Sequence, residues 1–331
     1  MARQYDFLGI GDTVIDAFIR LEQAEVRCDK DRENCFLCLN FADKIPFKDV
    51  YIMPAVGNSA NAAVAASRLG LNSALFTNLG GDSNGKDCLK ILKAENIDTD
   101  FVVVHKDQKT NYHYVLWFKD DRTILVKHEK YAYSMIDINN PHWVYLSSLG
   151  ENSLEFHREL LVYLNEHPDI KLAFQPGTFQ MKFGKEALAG IYKRSEVFFC
   201  NKEEAQKILE TDEHDISKLL KTMAALGPKI VVITDGVKGA YSYDGKEILF
   251  MRPYPDPKSP LERTGAGDAF SSTFTSALAL GMSVRDAMRW APINPMSVVQ
   301  QIGARAGLLT RKELEEYLAK APADYEPKIL E

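Results

Sequence analysis

The sequence lacks long hydrophobic runs and basic tracts, and each absence excludes a class of protein. No apolar run approaches the roughly 20 residues that a membrane-spanning helix needs, so no membrane partner is expected. The formal net charge is −6, and no run of lysine and arginine could follow a phosphate backbone, which argues against nucleic acid as a partner. The first residues lead directly into a strand-like segment and not into a signal peptide, so we expect a cytoplasmic protein.

Cysteine is also scarce, with five in 331 residues. An odd number in a chain of this length argues against a disulfide framework and for a reducing compartment. Cys28, Cys35 and Cys38 fall close together, and the last two have the C-x-x-C spacing that zinc uses. Because a fourth ligand is missing, free thiols in a surface insertion are the default interpretation, and a structural Zn²⁺ site is the alternative.

The third glycine of a dinucleotide-binding fingerprint is missing as well. Gly9 and Gly11 close a buried first strand, but Val14 stands where the fingerprint needs its last glycine. An NAD-dependent oxidoreductase is therefore disfavoured.

What the sequence does contain is an alternation of apolar strands and helices. Strands are predicted to begin at Trp143, Leu172, Val197 and Ile230, and helices near 155–165, 185–193, 202–209 and 216–226. Continuous apolar strands that alternate with helices predict an α/β fold with a mainly parallel sheet covered on both faces.

A second, smaller sheet is predicted to interrupt this alternation. Residues 19–55 lack sustained helical periodicity, and residues 112–126 have the pattern of a hairpin. We therefore predict a core of residues 1–18, 56–100 and 130–331, with a β lid of residues 19–55 and 101–129 inserted in it. The exposed edges of the lid strands make the lid a candidate homodimer surface.

The most informative stretch runs from Arg263 to Phe270. Gly265, Ala266 and Gly267 have almost no side chains and precede a helix, whose free N–H groups and dipole form a seat for phosphate. A carboxylate at Asp268 would repel a phosphate that merely rests there, but it suits a base that takes a proton from an attacking hydroxyl. The stretch predicts phosphoryl transfer to an alcohol, and the alternative is an ordinary turn in which Asp268 caps the helix.

Several other segments place polar residues or glycines where a strand ends and a helix begins. An Asn-x-x-Glu sequence follows one strand, a Thr-Asp-Gly turn follows the next, and a helix rich in small residues begins at Asn58. In order and over most of the chain, from Gly11 to about Gly303, these motifs resemble the ribokinase-like, or PfkB, family of carbohydrate and nucleoside kinases. The resemblance implies a ribokinase-like three-layer α/β/α domain with a small β-sheet lid.

The resemblance also implies roles on the nucleotide side of the site. Asp268 would be the general base, and the backbone amides from Gly265 to Gly267 would form the anion hole for the γ-phosphoryl group of ATP. Glu204, together with Asn201, would orient Mg²⁺ and phosphates, mostly through water. The residues implied to bind the nucleotide are Asn201, Glu204, Thr234, Gly236, Gly239 and Asn294.

On the acceptor side, the resemblance implies that Asp16 accepts hydrogen bonds from sugar hydroxyls. Gly57, Asn58 and Asn61 fall in a second family motif, a glycine pair followed by an asparagine, in which Val56 replaces the first glycine. Carboxylates and amides suit a polyhydroxylated ligand because they offer directional acceptors and donors. The alternatives are an exposed turn residue at Asp16 and a structural amide at Asn61.

The residues that precede the glycine loop also differ from the family pattern. Glu262 and Arg263 replace the usual acidic-then-threonine pair. Because that pair commonly helps to bind a monovalent cation in the family, K⁺ dependence is left open.

Two functional hypotheses follow. The first is an ATP-dependent kinase that phosphorylates a hydroxyl of a sugar or a nucleoside, with a neutral acceptor ranked ahead of an anionic one. The second is a catalytically idle homologue that binds nucleotide or sugar and regulates a partner. An intact glycine loop with Asp268 weighs against the second, because a binding protein gains nothing from a base beside the phosphate.

Overall fold

Apolar strands and the helices between them build most of the chain. The computed structural model describes residues 4–29, 35–119 and 121–330. The strands are β1 (Phe7–Ile10), β2 (Val14–Leu21), β3 (Glu25–Cys28), β4 (Cys35–Cys38), β5 (Phe47–Val56), β6 (Ser73–Gly80), β7 (Val102–His105), β8 (Asn111–Phe118), β9 (Asp121–Leu125), β10 (Trp143–Leu146), β11 (Lys171–Phe174), β12 (Ser195–Asn201), β13 (Ile230–Thr234), β14 (Ala240–Tyr243), β15 (Ile248–Met251) and β16 (Lys328–Leu330).

The helices alternate with these strands. They are α1 (Asn58–Arg68), α2 (Ser83–Ala94), α3 (Leu154–Glu166), α4 (Thr178–Phe183), α5 (Ala189–Arg194), α6 (Lys202–Leu209), α7 (Ile216–Ala224), α8 (Ala266–Ala279), α9 (Val284–Trp290), α10 (Ile293–Val298) and α11 (Arg311–Ala319). None of the helices in the described part of the chain has the length and apolar character that crossing a bilayer requires.

The central sheet has ten strands in the order β16-β15-β14-β13-β12-β11-β10-β1-β6-β7. The seven strands from β13 to β7 in that order are parallel to their neighbours, and β14, β15 and β16 extend the sheet with antiparallel pairing. One apolar cluster packs α3, α5, α6 and α7 on one face, and a second packs α1, α8, α9, α10 and α11 on the other. The predicted three-layer fold with a mainly parallel sheet is confirmed.

Parallel pairing brings the carboxyl ends of the strands to one edge of the sheet, where functional loops gather. Asp12 follows β1, Gln175 follows β11, Asn201 ends β12 and Thr234 ends β13. Residues that are far apart in the sequence therefore meet along one crevice.

The small sheet has the strand order β5-β2-β8-β9, and the lid hairpin is its β8–β9 pair. Strand β2 already begins at Val14 and belongs to this sheet, whereas β7 pairs with β6 in the central sheet. Strand pairing therefore differs from the predicted division at residues 19 and 101. The pairing of β2 moves Asp16 into the lid sheet.

The cysteine-rich segment forms a separate exposed hairpin of β3 and β4. Its antiparallel register sets Cys28 opposite Cys35, and the two are joined by a disulfide, while Cys38 remains a free thiol. Zinc binds thiolates, and no group of three or more His, Cys, Asp or Glu side chains arranged for a metal occurs within the described residues. The predicted zinc site is therefore wrong, and so is the prediction of free thiols at these two cysteines.

Candidate active site

The candidate site lies at the start of helix α8, where two glycines have different surroundings. Gly265 caps the helix with φ 79°, a left-handed conformation, and a Cβ there would lie 2.2 Å from the Cβ of Ala304. Gly267 has no such neighbour, because a Cβ at that position would meet no atom within 4 Å. Gly265 therefore packs tightly against Ala304, whereas the space around the Cα of Gly267 is open.

The carboxylate of Asp268 is held by three side-chain amides. Asn58 donates to Oδ1 at 2.9 Å, Gln175 donates to the same oxygen at 3.2 Å, and Asn61 donates to Oδ2 at 3.0 Å. Two of these donors come from α1 and one from the loop after β11. The carboxylate is therefore fixed by neighbouring elements, and it does not cap its own helix.

Burial raises the pKa of the Asp268 carboxyl above its ordinary value, and the nearby Asp16 acts in the same direction. The three amide donors oppose this shift because they stabilise the ionised form. A carboxylate whose pKa is raised is a stronger proton acceptor than an ordinary aspartate.

Gln175 is itself oriented by two hydroxyls. The Tyr145 hydroxyl donates to Gln175 Oε1 and lies 2.7 Å from Ser271 Oγ, which also contacts Gln175 Oε1 at 3.2 Å. Burial raises the pKa of the Tyr145 hydroxyl well above its ordinary value, so it remains a donor. With its oxygen occupied, the amide can only turn its N–H groups toward Asp268.

Replacing Gln175 is expected to change the pH dependence of catalysis. Gln175→Leu removes one donor to the carboxylate, so the pKa of Asp268 should rise further and the acid limb of the kcat/KM profile should move to higher pH. The same replacement at the exposed Gln23 serves as the control. An acid limb that Gln175→Leu leaves in place would show that the amide does not tune the base.

Helix α1 brings its asparagines to the site because of Gly57. This residue has φ 122°, and a Cβ on it would lie 2.4 Å from the carbonyl oxygen of Asp12. The predicted substrate residues Asn58 and Asn61 contact the Asp268 carboxylate directly, while Asn61 Oδ1 is buried without a partner within the described residues.

A cluster of buried polar groups lies on the lid side of the site. Asp16 is buried and lies 3.3 Å from His113 Nδ1, so the exposed-turn alternative is wrong. Asp12 accepts a hydrogen bond of 2.8 Å from the Tyr133 hydroxyl and lies 3.3 Å from His128 Nδ1. Several buried atoms here have no hydrogen-bond partner within the described residues: Asp12 Oδ1, Thr13 Oγ1, Asp16 Oδ1, Asn61 Oδ1 and His113 Nε2.

A cleft of about 210 Å³ lies on the other side of the glycine loop. Ala266 and Gly267 border it from α8, and the predicted nucleotide residues Thr234, Gly236 and Gly239 border it from the turn after β13. The remaining wall is mostly apolar, which suits a planar base. It includes Met251, Tyr254, Phe270, Pro295, Met296 and Val299.

Asn294 does not border this cleft. Its side chain is fully buried, donates to Thr273 Oγ1 at 2.8 Å and accepts from the backbone N–H of Leu309 at 2.8 Å. The structure therefore gives Asn294 a role in helix packing, and the predicted contact with adenine is not supported.

Asn201 and Glu204 form a capping box at the start of α6. Asn201 Oδ1 accepts from the Glu204 N–H at 2.8 Å, and Glu204 Oε2 accepts from the Asn201 N–H at 2.9 Å. Burial raises the pKa of the Glu204 carboxyl, and the charge of Asp268 contributes in the same direction. The two carboxylates are thus electrostatically coupled across the crevice.

Comparison with known proteins places this geometry in a family. The model of the pfkB family of carbohydrate kinases matches residues 53–311. The chain belongs to this family. The matched residues include the glycine loop and the carboxylate at the start of α8.

Relatives of the chain include kinases of both sugars and nucleosides. A ribokinase of Bacillus subtilis is 31% identical, over 80% of this chain and 87% of the relative. A nucleoside kinase of Methanothermobacter thermautotrophicus is 26% identical, over 82% of this chain and 87% of the relative. The solved structure of an Arabidopsis thaliana ribokinase complexed with ribose and ATP has a TM-score of 0.78 at 18% identity, covers 96% of this chain and 99% of that one, and shows the shared fold.

Sequence reasoning missed Gln175, Tyr145 and the place of Asp12 in the cluster of buried polar groups. Gln175 directly follows β11, and Asp12 follows β1, so the rule that functional loops lie at the carboxyl ends of parallel strands would have indicated both. Tyr145 lies inside an apolar strand, where nothing in the sequence distinguishes it from a core residue.

Proposed function

We propose that this protein is an ATP-dependent kinase that transfers the γ-phosphoryl group to a hydroxyl of a neutral sugar or nucleoside. The observation that carries the proposal is the position of Asp268. Its carboxylate stands at the start of the helix whose Gly267 opens on the apolar cleft, and the amides that hold it come from the side where the buried polar cluster lies. A nucleotide and an acceptor bound in these two places would meet at the carboxylate.

In the proposed reaction, the acceptor hydroxyl gives its proton to Asp268 as its oxygen forms a bond with the γ-phosphorus. The bond from the γ-phosphorus to the bridging oxygen breaks, and ADP leaves with that electron pair. Backbone N–H groups at the start of α8, together with the helix dipole, would stabilise the negative charge on the transferred group. Positioning and charge stabilisation are the main contributions that phosphoryl transfer requires from a protein.

Mg²⁺ would accompany the nucleotide, and Glu204 has suitable chemistry for it. Its carboxylate supplies a hard oxygen ligand, and only Oε2 is used in the capping box with Asn201. Mg²⁺ neutralises phosphate charge when bound. Asn201 would fix the orientation of Glu204, so that the pair would hold the ion mostly through water.

The acceptor is proposed to be neutral. Asp12 and Asp16 are both buried in the polar cluster and would repel a phosphorylated sugar, whereas a hydroxyl could donate to Asp12 Oδ1, which has no hydrogen-bond partner within the described residues. The basic side chains in this region are His113 and His128, which lie 3.3 Å from Asp16 and Asp12 and are engaged by them, while Lys127 is exposed to solvent in an ion pair with Glu129.

A panel of neutral sugars and nucleosides, assayed for ADP formation with ATP and Mg²⁺, tests the proposal. We expect ADP to form only when an acceptor is present, with a phosphate ester of that acceptor as the second product. Binding of nucleotide and sugar without turnover would favour the idle regulatory homologue, and turnover confined to phosphorylated sugars would contradict the neutral acceptor. Omitting K⁺ from the active mixture would decide the dependence that the sequence leaves open.

We also propose a homodimer through the outer face of the lid. Val50, Ile52, Tyr114 and Leu125 are each about half exposed, and strand register places them on the face opposite to Asp16. A second copy suits this mostly apolar face, because two such sheets can bury their apolar side chains by packing face to face.

The lid dimer predicts a molar mass twice that of the 37.3 kDa chain in light scattering. Ile52→Glu should give the monomer mass, because the dimer would have to bury one carboxylate from each protomer in its apolar interface. Val162→Glu, at an equally exposed position on α3, is the matched control and should remain dimeric. A monomeric native protein, or a dimeric Ile52→Glu variant, would contradict this interface.

A further inference from the structure

One cation borders the nucleotide cleft. Among the described residues that line it, Arg263 is the only lysine or arginine, and Ala266 and Gly267 of the anion-binding turn line the same cleft. The Arg263 carbonyl accepts from the Ala266 N–H at 3.4 Å, so its backbone is part of the turn that begins α8. The side chain is exposed and thus has access to a ligand in the cleft.

Arg263 has no ion-pair partner among the described residues, although Asp256 lines the same cleft. The neighbouring Glu262 is buried, and its two oxygens accept from the backbone N–H groups of Thr264 at 2.6 Å and Gly303 at 2.9 Å. Burial raises the pKa of the Asp256 carboxyl, and the charge of Arg263 opposes this rise. Across the described chain, however, no carboxylate lies within 4.0 Å of the Arg263 guanidinium. The arrangement leaves an available positive charge beside the proposed phosphate seat.

Arg263 also reaches the lid. It lines a second, smaller cavity together with Phe18, Trp117 and Arg122 of the lid sheet. Arg263 therefore borders both the cleft beside the glycine loop and the lid sheet.

We propose that Arg263 contacts the phosphates of the bound nucleotide and stabilises the γ-phosphoryl group during its transfer, an inference that rests on the proposed kinase function. A guanidinium matches phosphate oxygens with two parallel N–H donors and keeps its charge at any physiological pH. As the bond to the bridging oxygen breaks, charge redistributes over the leaving ADP and the transferred group, and a fixed cation beside them lowers the barrier. This chain carries arginine where the resembling family uses threonine, so the cation is a feature of its own loop.

The test compares Arg263→Gln and Arg263→Lys with the wild type, using ATP and the acceptor identified by the panel. We expect kcat to fall about 10²-fold in Arg263→Gln and less in Arg263→Lys, since losing one charge-stabilising donor typically has this effect. Guanidinium added to Arg263→Gln should restore part of the lost rate, which a purely structural role would not allow. Lys229→Gln is the matched control, because Lys229 is an exposed cation that does not line the cleft and pairs with Glu196 at 2.7 Å.

Unchanged kcat in Arg263→Gln, or an equal fall in Lys229→Gln, would overturn the inference. A larger fall in Arg122→Gln than in Arg263→Gln would assign the role to the lid and would overturn it too. All of these comparisons use a wild type that is active as a kinase. They would therefore reject the role of Arg263 without rejecting the proposed kinase function. A folded wild type that transfers no phosphoryl group to any acceptor would overturn both proposals.

Discussion

Asp268→Asn is expected to lower kcat by about 10²- to 10⁴-fold, the range over which a positioned general base acts. The amide has nearly the same shape as the carboxylate but cannot accept the proton of the acceptor hydroxyl. ATP should bind with unchanged or higher affinity, because the variant loses a negative charge beside the phosphates. Steady-state kinetics and equilibrium titration with ATP measure the two effects separately.

The control for this variant is Asp87→Asn, an exposed position on α2. It should match the wild type in both measurements. Thermal unfolding of Asp268→Asn checks that its new amide, which faces the amides of Asn58 and Gln175, does not unfold the protein. Turnover equal to the wild type in a folded Asp268→Asn variant would reject Asp268 as the base.

Gly267→Val is expected to abolish nucleotide binding while it leaves the fold intact. A Cβ at Gly267 would meet no protein atom within 4 Å, and the position borders the cleft, so the added methyl groups would occupy the proposed phosphate seat. We expect the dissociation constant for ATP to rise by about 10²-fold or more, as several phosphate contacts are lost together. Titration with ATP measures this rise.

A graded series controls for strain in the same turn. Gly267→Ala should weaken ATP binding less than Gly267→Val, since it adds only one methyl group. Gly265→Ala should lower the melting temperature instead, because Gly265 has φ 79° and its Cβ would collide with Ala304. Normal ATP affinity in Gly267→Val would show that phosphates do not lie against this turn.

Local patterns predict most of the central fold, and the exceptions have local causes. Helix α6 has the predicted bounds because its capping box is legible in the sequence. The helix expected near 185–193 is instead found as α5 at Ala189–Arg194, preceded by α4, which ends at Gly184 with φ 86°. Periodicity does not reveal a left-handed glycine that ends one short helix before another begins.

The contacts of the site could not be predicted in the same way. Asn58 and Asn61 meet Asp268 across separations of 210 and 207 residues, and only the packing of α1 against α8 brings them together. Asn294 looked available to a ligand, but its burial depends on how α10 packs against its neighbours. The disulfide depends on a strand register in which Cys28 lies opposite Cys35. The C-x-x-C spacing of Cys35 and Cys38 suggested a metal site instead.

The most direct test of the central claim is a single turnover with ATP labelled at the γ-phosphate, with enzyme in excess over ATP and the acceptor present. Direct transfer to the acceptor at Asp268 predicts that the label appears in a phosphate ester of the acceptor, in equal amount to ADP, and that Asp268→Asn forms this ester far more slowly. Label released as inorganic phosphate by the wild type, or ester formed equally fast by Asp268→Asn, would contradict it.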